Sequence, residues 1–267
     1  MRRLIKRILL LALAVSAVVL LHQRVRQEKE EAAAKTAAAA EQSEEAAAED
    51  TPSMAVLRMG EGLALGRIEE NGENGGINVI VPKGDGTEET YAFTDVAADS
   101  WYASAVNFAV SAGLMTGVGG ESIFQPEYGM LRENFAAILY RFTHGEPVKP
   151  RFRFTDVPED SWYYDAVSWV TNERLMSAIE PSVFGVGSYM TCEQALIGLY
   201  RVAGEPETDG ALTDYPYAAR VSESGRSAVD WAWKSGLITE VECVWYPPQA
   251  ISRAQVALLL MRYSAMS

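Results

Sequence analysis

The sequence predicts an all-α fold in which three helix-loop-helix repeats form one pseudo-threefold domain. The first observation is a recurring motif: Phe-Thr-Asp-Val at residues 93–96 returns at 154–157, and a weaker copy begins at Leu212. The second is that each copy closes on an apolar stretch ending in arginine, at Arg141, Arg201 and Arg262. The period is about 60 residues, longer than the roughly 20–50 residues of open solenoids, so we expect one closed domain.

A hydrophobic N-terminal helix is predicted to precede the repeats. Basic residues cluster within positions 2–7, and an apolar run follows from Ile8 to Leu21. A basic region before an apolar core is typical of an export signal, whereas a spanning helix needs about 20 residues. Residues 1–26 are therefore predicted to be a signal peptide or a membrane anchor. As an anchor, residues 4–21 would cross the membrane and the remainder would lie outside the cytoplasm.

Two linkers are predicted between this helix and the first repeat. Residues 27–53 are rich in Ala and Glu and carry no heptad of large apolar residues, which favours a helical or disordered spacer over a coiled coil. Residues 54–92 are rich in Gly, which predicts a flexible segment with one short strand at 77–81.

Each repeat is predicted to contain two helices. The repeats span residues 93–150, 151–208 and 209–267. Thr191 with Gln194, and Ser252 with Gln255, fit capping boxes at the start of the second helix, whereas Leu131 in the first repeat supplies no capping hydroxyl. The predicted second helices run over residues 132–142, 192–202 and 253–263.

The loop after the first helix begins with a glycine in two repeats. Gly113 and Gly236 stand where a left-handed residue ends a helix at little cost, and Arg174 replaces them in the second repeat. Aligned apolar residues at helical spacing are most simply explained as core, so they receive no ligand role.

The composition excludes several function classes. A net charge of −13 disfavours nucleic acid, whose binding proteins carry basic surfaces. Two cysteines and two histidines show no metal-binding spacing, and no nucleophile motif is present. We therefore predict a protein that is not an enzyme and needs no cofactor.

The repeats resemble the S-layer homology family. The first copy carries most of its spaced motif. The resemblance implies a three-repeat, all-helical domain that binds secondary cell-wall polysaccharide, often pyruvylated, and holds exported proteins at the bacterial surface. The matching positions are Phe93, Asp95, Val96, Trp101, Ala105, Gly113, Leu114, Gly117, Phe124, Pro126 and Arg132.

Seven residues are candidates for binding an acidic glycan. Arg132 and Arg253 follow the N-cap of a helix, where free N–H groups and the helix dipole already favour an anion, and a guanidinium grips carboxylates. Trp101 and Trp162 are suited to stacking on a sugar, or to anchoring the core. The remaining candidates are Asp95, Asp156 and Gly117; each aspartate is also a good turn cap, and the glycine permits close approach.

The copies differ at these positions. The second has Cys192 in place of the arginine, and the third has Ser224 in place of the tryptophan. We expect at most one intact site, built on Arg132 and Trp101, with Arg253 as a weaker second.

Two questions stay open from the sequence. A disulfide between Cys192 and Cys243 is allowed outside the cell, and two buried free thiols are the alternative. The preferred function is attachment to the cell envelope. The alternative is a degenerate repeat domain that binds protein or acts as a structural module.

Overall fold

The computed structural model describes residues 63–71, 75–119 and 122–266. They lie within one compact unit of the chain. The described part holds a three-stranded sheet and then six α-helices. The strands are β1 (Arg67–Asn71), β2 (Gly76–Pro82) and β3 (Glu88–Phe93); the helices are α1 (Ala103–Ser111), α2 (Arg132–Phe142), α3 (Tyr164–Asn172), α4 (Cys192–Val202), α5 (Arg226–Lys234) and α6 (Arg253–Ser264).

The predicted all-α fold is wrong, because the segment before the first repeat forms an antiparallel sheet of order β1-β2-β3. The apolar strand predicted at 77–81 is the central one. It pairs on both sides, with Ile77 opposite Phe93 and Val79 opposite Tyr91 in β3. A lone strand would leave its backbone groups unpaired, so an apolar strand buried in a fold recruits neighbours.

The sheet is fastened to the first helix of the first repeat. The backbone N–H of Gly66 donates to Ser111 Oγ at 2.9 Å, and Asn107 Nδ2 donates to the carbonyl of Gly66 at 2.7 Å. Ile77 and Val79 of β2 are fully buried in the common core. The sheet is therefore part of the same folded unit as the repeats.

Three backbone hydrogen bonds close the repeats into a ring. Met130 N–H donates to the carbonyl of Ile251 at 2.8 Å, Met190 N–H to that of Met130 at 2.8 Å, and Ile251 N–H to that of Met190 at 2.9 Å. Each residue immediately precedes the N-cap of the second helix of its repeat. The ring supports the predicted pseudo-threefold arrangement of the repeats.

Helix packing follows the same cyclic order. The second helix of each repeat packs on the first helix of the next, so that α2 contacts α3, α4 contacts α5, and α6 contacts α1. The aromatic residues Phe124, Phe184 and Trp245 hold equivalent loop positions and are fully buried. The joints between repeats are thus the recurring surfaces on which a site can be built.

The predicted helix ends are largely confirmed. Thr191 and Ser252 form capping boxes with Gln194 and Gln255, and α2 has no side-chain cap. Gly113, Arg174 and Gly236 all have positive φ, at 66°, 56° and 74°.

No helix in the described ranges, 63–71, 75–119 and 122–266, is long and apolar enough to cross a membrane. The predicted signal or anchor at 1–26 and the spacer at 27–53 lie outside those ranges.

Candidate functional site

Arg132 joins the first repeat to the second. Its Nε donates to the carbonyl of Phe184 at 2.9 Å, and its Nη2 donates to that of Ser177 at 2.5 Å. The guanidinium carbon lies 4.8 Å from the centre of the Phe184 ring. The side chain is buried, and burial lowers its pKa. We call this contact the Arg132 joint.

Arg253 makes the equivalent joint between the third repeat and the first. Its Nε donates to the carbonyl of Phe124 at 2.7 Å, and its Nη2 donates to that of Thr116 at 2.9 Å. Its guanidinium carbon lies 4.7 Å from the centre of the Phe124 ring. Burial lowers its pKa to about 10, against the opposing effect of Asp95. We call this contact the Arg253 joint.

The two aspartates bind the same aromatic loops through backbone N–H groups. Asp156 accepts backbone N–H groups of Phe184, Gly185 and Val186 at 2.9, 2.7 and 2.8 Å. Burial opposes its ionisation, but these three donors outweigh burial and lower its pKa. Asp95 accepts from the N–H groups of Phe124 and Gln125 at 2.8 and 2.7 Å. Both aspartates therefore shape the loops on which the arginines rest.

These contacts pair the candidates across repeats. Arg132 shares its loop with Asp156, and Arg253 shares its loop with Asp95. Gly117 follows Thr116, the residue whose carbonyl Arg253 binds. Trp101 is half-buried against Tyr102, at 5.1 Å between ring centres. Trp162 is 64% exposed.

A cleft of about 430 Å³ opens beside Arg132. Its polar lining comes from all three repeats: Arg132, Ser177, Gln194, Arg201 and Ser224. The other lining residues are apolar, and no carboxylate lines the cleft. The cleft therefore presents two cations beside apolar walls in a strongly acidic chain.

Arg201 was not among the predicted binding residues. As expected for a cation at a helix C-terminus, it bonds locally: its Nη1 donates to the carbonyl of Arg174 at 3.0 Å and to Ser177 Oγ at 3.2 Å. Its equivalents make similar bonds, Arg141 to the carbonyl of Leu114 and Arg262 to that of Leu237. The recurrence of an arginine at this point was the available signal, but only the fold brings Arg201 to the cleft.

The position of Ser224 indicates where Trp101 and Trp162 lie. Ser224, Trp101 and Trp162 occupy equivalent positions, two residues before the first helix of their repeats. Ser224 of the third repeat lines the cleft at the joint between the first and second repeats. In the cyclic order, with α2 packed on α3, the equivalent place for Trp162 of the second repeat is beside the Arg253 joint, between the third and first repeats. Trp101 then belongs to the remaining joint, the one that begins at Cys192.

Two segments of the chain match the family model of the S-layer homology domain, residues 92–136 and 153–196. The chain carries tandem S-layer homology repeats. The resemblance predicted from the motif is confirmed for the first two repeats, and the third is recognised by its place in the ring of hydrogen bonds. A search among curated proteins found no match.

S-layer homology domains are binding modules of cell-surface proteins that mediate attachment to the cell envelope. In these repeats, Arg132 and Arg253 have structural contacts that the sequence did not indicate. Both cysteines are free thiols, and their pairing stays a prediction. Within residues 63–71, 75–119 and 122–266, no group of three or more His, Cys, Asp or Glu residues is arranged to hold a metal ion.

Proposed function

We propose that this protein attaches to the bacterial cell envelope without catalysis by binding an acidic secondary cell-wall polysaccharide at the Arg132 cleft. The observation that carries the proposal is the lining: two arginines and no carboxylate, in a chain of net charge −13. An anionic ligand finds here a positive site that the overall charge of the protein does not predict.

The two arginines have different tasks in this proposal. Arg132 already gives its Nε and Nη2 protons to backbone carbonyls. Its Nη1 donates to the sulfur of Met190 at 3.7 Å, a weak acceptor. Arg132 therefore supplies a fixed charge that its joint holds in place, with donors left on Nη1. Arg201, whose side chain is 31% exposed, is the arginine that a ligand carboxylate can reach; its Nε lies 3.8 Å from Glu205 Oε1, so the ligand would compete with this ion pair.

The apolar walls suit a sugar that carries a ketal. Ile179 is 49% exposed at the cleft, next to Ala178, the counterpart of Gly117. A pyruvate ketal has a carboxylate for the arginines and a methyl group for such a wall. The Arg253 joint, with Trp162 beside it, is proposed as a second site, where the exposed indole would stack on a sugar.

The proposed location is extracytoplasmic. Residues 1–26 would act as the export signal or, through residues 4–21, as a membrane anchor that links the membrane to the wall polymer. Carbonate extraction of native membranes checks this: an anchored chain stays in the pellet, whereas a soluble mature form that begins near residue 25 would refute the anchor.

The test of binding uses the full-length chain and cell-wall sacculi before and after removal of the acidic polymer. We expect Arg201→Gln to weaken binding on the order of tenfold, because a charge-assisted hydrogen bond is lost. Arg262→Gln is the matched control, since Arg262 is the counterpart of Arg201 at the joint without an arginine. Binding that survives both polymer removal and Arg201→Gln would contradict the proposal and favour a protein partner.

A further inference from the structure

The joint between the second and third repeats is built without an arginine. Cys192 begins α4 in the position of Arg132 and Arg253, and its N–H donates to the carbonyl of Gln249 at 2.8 Å. The helix start is thus docked as in the other two joints. A thiol cannot reach the loop carbonyl as a guanidinium does, yet the carbonyl of Trp245, the counterpart of Phe124 and Phe184, is hydrogen-bonded.

The donor to the Trp245 carbonyl is the hydroxyl of Tyr215. Tyr215 follows Asp214 in the third copy of the motif, where the first two repeats have Val96 and Val157. Asp214 is exposed and bonds to no residue that the structure describes, in contrast to Asp95 and Asp156. Tyr215 therefore supplies the contact to the loop carbonyl that an arginine supplies in the other two joints.

The tyrosine ring also fills the joint. Tyr215 is 4% exposed, and its ring centre lies 5.3 Å from that of Trp233 and 6.0 Å from that of Tyr217. Cys192 is 1% exposed. Burial raises the pKa of Tyr215, and the neighbouring Cys192 raises it further.

The charges near this joint oppose an anion. Besides Cys192 and Tyr217, the titratable groups that act on Tyr215 are the carboxylates of Glu193 and Glu240, and both raise its pKa. Glu193 accepts from the N–H and hydroxyl of Ser222, which fixes the inserted segment of the third repeat, residues 215–223, against α4. Arg262, the counterpart of Arg201 at this joint, is already paired with the carboxylate of Glu242 and donates to the carbonyl of Leu237.

We infer that Tyr215 seals this joint: its hydroxyl takes the place of the arginine at the loop carbonyl, and its buried ring leaves no room there for a ligand. The sealing is a property of the fold. Its consequence, that the protein offers no more than two glycan sites, rests on the proposed function.

The first test measures access to Cys192 by a maleimide in the full-length chain, in a Cys243→Ser background. We expect Tyr215→Ala to accelerate labelling on the order of tenfold or more, because the side chain that covers the thiol is gone. Tyr217→Ala, in the same inserted segment, is the control and should leave labelling near the parent rate. Equal protection of Cys192 in a folded Tyr215→Ala protein would overturn the inference.

If Tyr215→Ala does not fold, as judged by circular dichroism, Tyr215→Phe decides. It keeps the ring but leaves the Trp245 carbonyl without its donor, so labelling should stay slow while the urea midpoint falls. An unchanged midpoint would overturn the proposed role of the hydroxyl.

The second test counts the binding sites by calorimetry with wall polysaccharide fragments released by mild acid. Two or fewer equivalents agree with a sealed joint, and three would overturn it. No binding at all would instead contradict the proposed function, and the labelling experiment would still decide whether Tyr215 seals the joint.

Discussion

Asp156→Asn tests whether the aspartate builds the loop that carries the Arg132 joint. The carboxylate accepts Phe184 N–H on Oδ1 and the N–H groups of Gly185 and Val186 on Oδ2. Asparagine keeps one acceptor oxygen, so one hydrogen bond is lost and the other two are made to a neutral acceptor. A hydrogen bond to a charged group contributes about 1.5–3 kcal/mol and a neutral one about 1 kcal/mol, so the variant should lose at least about 2.5 kcal/mol.

The pH dependence gives a second readout. The pKa of Asp156 is lower in the folded protein than in the unfolded chain. Its contribution is therefore present above the unfolded pKa, about 4, and is lost as the pH falls through the folded pKa. The stability difference between the parent and Asp156→Asn should shrink below about pH 4, because the asparagine does not titrate.

The assay is urea unfolding of the full-length chain, followed by tryptophan fluorescence at pH 7 and pH 3. Asp214→Asn is the matched control, since Asp214 is the third-repeat counterpart, exposed and without a loop contact. It should change the free energy of unfolding by no more than about 0.5 kcal/mol. Equal effects of the two substitutions at pH 7, or a loss for Asp156→Asn below about 1 kcal/mol, would refute the reasoning.

Two further pairs of substitutions test the backbone of the fold. Arg174→Gly should raise the free energy of unfolding by about 0.5–1 kcal/mol, because Arg174 has φ of 56°. Gly113→Ala should lower the free energy of unfolding by about 1 kcal/mol, because Gly113 has φ of 66° with open space around it. Urea midpoints check both, and a change of the same sign in both variants would contradict the explanation. Gly66→Ala should cost about 1–3 kcal/mol, since a Cβ there would lie 2.7 Å from the carbonyl oxygen of Ile80 in β2. Gly84→Ala, in open space, is the control, and equal thermal unfolding of the two variants would exclude tight packing of Gly66 against β2.

The helices of the repeats were predictable because their signals are local. Caps, apolar spacing and the glycine after the first helix all lie within a few residues of the features that they specify, and α2 and α4 begin and end where predicted. The sheet was missed because β1, Arg-Ile-Glu-Glu-Asn, has no apolar alternation. It becomes a strand because β2 needs a partner, which is a tertiary requirement.

The grouping of the site residues was beyond the sequence for the same reason. Arg132 and Arg253 were recognised as the first residues of their helices, but the carbonyls that they bind lie in other repeats, at Phe184 and Phe124. Tyr215 was not among the predicted site residues. Its role follows only from its meeting with Trp245.

The sequence by itself determined the repeat, most helix ends and the family, since each depends on residues close together in the chain. The tertiary structure decided which copies share a joint, that Arg132 and Arg201 meet in one cleft, and that Tyr215 bonds to the Trp245 carbonyl at the third joint. These are contacts between residues far apart in the chain. Side-chain length and burial determine which of these contacts form, and a repeated sequence motif specifies neither of them.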